Sequence, residues 1–119
     1  MALPDPAEDQ LALNPYDTES SRPGIYLTAA LDGRLASNGR CIVVVKGSTQ
    51  VTPLWPAGTR LRHERGRTLI ILPDGRGTAI YGGKPRLGGG AFGPEQAHLL
   101  PESIRRDCPA PYFVVSTAR

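Results

Sequence analysis

Three groups of residues in this chain carry side chains that could do chemistry: the cysteines Cys41 and Cys108, the histidines His63 and His98, and a run of arginines at Arg60, Arg62, Arg65 and Arg67. A metal centre is not expected, because neither cysteine has a second Cys or His at ligand spacing and the two histidines lie 35 residues apart. Nucleophilic catalysis needs a base beside the thiol or hydroxyl. No such pattern surrounds the cysteines, and Ser48, Ser103 and Ser116 sit in no nucleophile-elbow context. Residues 88–93 spell G-x-G-x-x-G, but only 26 residues follow, too few for a βαβ unit and its acidic ribose contact. A tight glycine turn is expected there instead. Lys84 precedes Pro85 and lacks the upstream glycine of a phosphate loop. No catalytic residue, cofactor or metal is therefore expected, and the chain reads as non-enzymatic.

The arginine run is the remaining candidate site. On a strand, Arg60 and Arg62 would share one face, and His63 and Arg65 the other. Guanidinium forks suit carboxylates and phosphates. With Trp55 and Tyr81 as stacking surfaces, the cluster would resemble the basic, aromatic-lined grooves that hold single-stranded nucleic acid. Two plainer explanations stand beside this one. Twelve of the 14 basic residues are Arg, as a GC-rich genome encodes by default, and Trp55 in its proline-flanked turn is equally suited to plugging a core.

The elements that must position these residues follow from composition. With 14 Gly, 12 Pro and 39% hydrophobic residues in 119, the chain favours many short strands over a few helices, and its length suits one domain. No run of 18 apolar residues exists to form a transmembrane helix. Residues 1–23 hold five acids and four prolines, and read as an extended or disordered arm. Residues 21–119 carry 14 basic against 6 acidic residues, a balance of +8, so the arm could lie back on the body through weak, screened contacts. Residues 1–10 have neither the basic nor the apolar region of a signal peptide. The protein is then cytoplasmic, or the chain is a mature form whose leader has been replaced by Met1.

Strands are expected at residues 25–31, broken by Asp32-Gly33 as a hairpin or a bulge, and at 41–45 after a type I′ Asn38-Gly39 turn. Further strands are expected at 50–54, at 61–64 and 67–72 as a hairpin around Arg65-Gly66, at 77–81, at 86–87 and at 112–117. Pro53 and Pro56 should interrupt the ladder. Helix is expected near Pro94 and from Pro101 to Asp107. Six or seven short strands with one short helical segment suit a small OB-like or Greek-key barrel over residues 24–119, although the usual helix of that fold lies between its third and fourth strands.

Cys41 opens the most apolar strand and Cys108 precedes the last one, so a disulfide between them is expected; two buried thiols in a cytosolic protein are the alternative. The bond would close a 67-residue loop, for which chain entropy predicts roughly 4 kcal/mol, and it would point to an oxidising, extracytoplasmic compartment.

Four segments together carry a resemblance: Gly39-Arg40-Cys41-Ile42-Val43-Val44, Trp55-Pro56-Ala57-Gly58-Thr59, Arg86-Leu87-Gly88-Gly89-Gly90 and Cys108-Pro109-Ala110-Pro111-Tyr112-Phe113. Over residues 24–117 the chain resembles uncharacterised bacterial secreted or lipoprotein domains with a two-cysteine β-rich core. The lipobox cysteine of such lipoproteins is missing. The resemblance implies a bacterial periplasmic or secreted protein and brings no activity with it. The resulting expectation is a binding domain for a protein or a cell-envelope component, not membrane-spanning. The alternative is a cytoplasmic nucleic-acid-binding barrel using the arginine cluster.

Overall fold

Strand β4 (Ile42–Lys46) forms where the β-branched run predicts it, and Ile42, Val43 and Val44 are all buried, so both of its faces are covered. The structure is a computed structural model that describes residues 10–13, 29–92, 100–108 and 110–119. β4 pairs on one side with β3 (Arg34–Ser37) and on the other with β5 (Thr49–Trp55), both antiparallel. Beyond β5 the sheet continues through β10 (Tyr112–Ala118), β9 (Arg86–Phe92) and β2 (Ala29–Asp32). β1 (Ala12–Leu13) runs parallel to the end of β5. A second, three-stranded sheet consists of β6 (Arg60–Glu64), β7 (Arg67–Ile71) and β8 (Thr78–Ile80). The one helix among the described residues is α1 (Glu102–Asp107), with Glu102 in its first turn and Arg105 and Arg106 in its last, as the helix dipole favours.

The mainly β reading therefore holds, and the OB-like order is visible in the path. The two ends of the larger sheet, β2 and β3, are separated in sequence by Gly33 alone. Asp32-Gly33 is thus the bend of one long strand rather than a hairpin. Its first half pairs with β9 and its second with β4. A side chain at Gly33 would strike the Val44 side chain and the Val45 carbonyl. The hydrogen-bond ladder is not closed into a barrel at this bend. Where the OB order places a helix, between its third and fourth strands, this chain places the β6–β8 sheet.

Strand alternation divides the core in two. Ile42, Val44, Trp55, Phe113 and Val115 face one side of the larger sheet, where Ile70 and Ala79 of the second sheet, and Leu72 just after β7, meet them. Val43, Leu54 and Tyr112 face the other side, under Leu100 and Ile104 of the helical segment. The second sheet is also tied at its margin. Leu35 exchanges backbone hydrogen bonds with Gly82 and Gly83, both 2.9 Å, and the Ala118 amide donates to the Arg76 carbonyl at 3.1 Å.

Several local expectations are corrected. Pro53 does not end its strand: it lies buried inside β5. The Thr52 amide donates to the Pro111 carbonyl, on the β10 side, so the missing donor of Pro53 faces the opposite edge. There the β4 ladder has ended at Val51 and β1 begins at Leu54, so no ladder bond is lost. Gly88-Gly89-Gly90 is not a turn either. These residues are the middle of β9, and a Cβ at Gly89 would overlap the Val114 carbonyl oxygen. The loop before β4 spans four residues, and the Asn38 side-chain oxygen accepts from the amides of Arg40 and Cys41 at 2.9 and 2.8 Å. Within the acidic arm, Leu11 and Ala12 are buried and belong to the two cores. The arm outside residues 10–13, the start of the first strand and the Pro94 helix lie outside the described residues.

Cys41 and Cys108 are disulfide-bonded, with Cα atoms 5.5 Å apart and a sequence separation of 67. The pair is doubled one residue upstream, where Arg40 reaches Asp107 at 3.4 Å. The hydrogen bond from Arg106 also holds the Asp107 carboxyl below its ordinary pKa. Tyr112 secures the same corner by donating its hydroxyl to the Cys108 carbonyl at 2.9 Å, and burial pushes its phenol above the ordinary value.

Two outcomes test this architecture. The double substitution Cys41→Ser/Cys108→Ser should cost roughly 4 kcal/mol of stability, and denatured, unreduced protein from its host should show no free thiol; two thiols would contradict the bond. Gly89→Ala should lower the melting temperature by several degrees, more than Gly88→Ala, because the clash at Gly89 is with backbone and that at Gly88 with the rotatable Thr117 side chain.

Candidate binding surface

The β6–β7 hairpin turns on Arg65-Gly66 with φ of 51° and 75°, a two-residue turn whose positive angles match the twist of the flanking strands. Its register fixes which side chains share a face. Arg60 lies opposite Ile71, Arg62 opposite Leu69, and Glu64 opposite Arg67. Across the next ladder Leu69 meets Ile80 and Ile71 meets Thr78. The remaining rows, Leu61 with Ile70 and Ala79, point the other way and join the core.

The outer face thus has an aliphatic stripe of Leu69, Ile71 and Ile80, with Ile80 42% exposed, and none of the three belongs to either core. Arg60 and Arg62 stand exposed along its β6 margin, above a depression they share with Ile71. On its β8 margin Thr78 and Ile80 border a second depression, whose far wall holds Lys84 and Arg119. Glu64 is the one carboxylate among the described residues of this face, 3.7 Å from the Arg62 guanidinium, and both are exposed, so the pair contributes little.

The expected site residues separate accordingly. Arg60, Arg62 and Arg67 come together as anticipated. Arg65 does not share a strand face with His63, because it occupies the turn. His63 lies on the other side of the sheet, 3.0 Å from the Thr68 hydroxyl. Trp55 is corrected from a stacking surface to a core residue: it is 0% exposed at the centre of the larger core, and its indole N–H has no acceptor among the described residues. Tyr81 is half-buried, and its amide donates to the Thr68 carbonyl at 2.9 Å. That bond continues the ladder one residue past Ile80 and turns Tyr81 away from the arginines. The Leu69, Ile71 and Ile80 stripe was missed. Its signal was in the alternation of the run 67–71, which turns Thr68 and Ile70 inward and leaves Leu69 and Ile71 on the outer face.

Among the described residues no group of three His, Cys, Asp or Glu side chains is placed to hold a metal. The outer face presents exposed cations beside aliphatic side chains.

The face assignment predicts a sharp asymmetry between the two sides of the second sheet. Ile80→Ser should change stability by less than about 0.5 kcal/mol, whereas Ile70→Ser, on the buried side, should cost more than about 2 kcal/mol by chemical denaturation. Equal costs would refute the register.

Comparison with known protein families, with curated proteins and with solved structures finds no match to this chain.

Proposed function

We propose that this chain is a non-enzymatic binding domain of the bacterial cell envelope or secreted fraction, and that it engages a protein or envelope component through the outer face of β6–β8. The observation that supports this is the face itself: an aliphatic centre, with Ile80 exposed and Leu69 and Ile71 partly so, flanked by exposed arginines. Protein interfaces favour this composition, with apolar residues centrally and arginine as a frequent energetic anchor. The disulfide is consistent with an oxidising compartment. No described helix is long and apolar enough to cross a membrane.

Nucleic acid is the second reading, favoured by Arg60 and Arg62 standing two residues apart on one edge. It is weakened by the loss of Trp55 to the core, since stacking platforms supply much of the affinity for single strands.

The test is retention of the oxidised protein on washed envelope fractions and on secreted proteins. Arg60→Glu/Arg62→Glu should reduce retention at least tenfold, while Lys46→Glu, at the end of β4, should not. Loss of retention in both variants, or in neither, would sink the assignment to this face. Salt-sensitive binding to a single-stranded oligonucleotide, with a slope reduced by Arg62→Ala, would instead establish the second reading.

A further inference from the structure

We infer that the occupant of the β6–β8 face is an acidic amphipathic helix of a partner protein, an inference that rests on the reading of that face as the binding surface. The dimensions come first. β6 and β8 are two strand spacings apart, about 10 Å, which matches the width of an α-helix of about 10 Å. Along β7, Leu69 and Ile71 project from the same face about 7 Å apart, close to the 6 Å or so between residues i and i+4 of a helix. A helix laid along the strands therefore places an i, i+4 apolar pair over Leu69 and Ile71, with Ile80 filling the adjacent row.

Charge then selects the flanks. Cations stand on both margins, Arg60 and Arg62 on the β6 side and Lys84 and Arg119 beyond β8. The matching helix carries Asp or Glu on each side of its apolar stripe. The two depressions, one under Arg60 and Arg62 and one between Ile80 and Lys84, are where those acidic side chains reach down. An extended nucleic acid would satisfy the arginines and leave the aliphatic stripe without a partner. A flat lipid surface would meet the stripe but would leave the two depressions at its margins unfilled.

The experiment uses the whole oxidised protein, labelled with nitrogen-15. It is titrated with a synthetic helical peptide that has leucines at i, i+3, i+4 and i+7 and glutamates on both flanks. A peptide of the same composition, scrambled to remove the apolar face, is the control, together with phosphatidylglycerol vesicles. The expected result is movement of the Leu69, Ile71 and Ile80 amide signals with the designed peptide only. Affinity should fall at least tenfold in Ile80→Asp and in Arg62→Glu, whose spectra confirm that each variant is folded. Equal binding of the scrambled peptide, movement of other regions, binding of vesicles in preference to the peptide, or no binding would each overturn the helical occupant. If the designed peptide fails while Arg60→Glu/Arg62→Glu still abolishes retention on envelope fractions, only the occupant is wrong. If retention is also unaffected, the binding face is wrong as well.

Discussion

Burial of β4 on both faces is the constraint on which the rest of the molecule depends. Ile42, Val43 and Val44 alternate in direction, so a single covering layer could shelter at most two of them. The chain meets this with two covers of different kinds. The β6–β8 sheet supplies Ile70 and Ala79, with Leu72 just after β7, to one face, and α1 with the preceding Leu100 supplies the other. A helix of six residues has almost no stability of its own. It stays in place because the Cys41–Cys108 bond and the Tyr112 hydroxyl fix its C-terminal end to the sheet, while the exposed Arg40–Asp107 pair adds little. The disulfide thus does more than shorten the unfolded chain: it holds half of the cover over β4.

Much of this was legible in sequence because turn chemistry is local. Gly47-Ser48, Arg65-Gly66 and the Pro73 turn fall where their residue types require, and so do the strands between them. What could not be read was partnership. Pro53 looks like a strand breaker until the exchange of β4 for β1 beside it is known. Gly89 looks like a turn until Val114 is seen to press against it. Trp55 looked available for stacking because a turn follows it, yet the strand parity that buries Leu54 on one face sends Trp55 into the core on the other. In each case the deciding contact comes from a residue at least 25 positions away or from a strand too short to have a pattern, as β1 is.

The arginine cluster shows the same limit from the other side. Spacing alone correctly put Arg60 and Arg62 on one face, but it could not reveal that their neighbours across the sheet are Leu69 and Ile71. That pairing changes the chemistry of the surface. Arginines among aromatics would suggest stacked bases, whereas arginines beside aliphatic residues suggest a partner that is acidic and apolar at once.

The two faces of β7 also divide its labour. Ile70 lies in the core and Leu69 and Ile71 on the outer face, so substitutions at the outer positions should cost less stability than substitutions at Ile70. The larger sheet has a helical cover on the face away from β6–β8, while the smaller sheet has one face covered and one open. A helix docked on that open face would repeat, with a partner's residues, the packing by which α1 covers β4 and β5. The difference is in how each helix is retained. α1 is held by a covalent bond and can be short and weakly apolar, whereas the proposed helix from another chain would depend on its own stripe and charges alone.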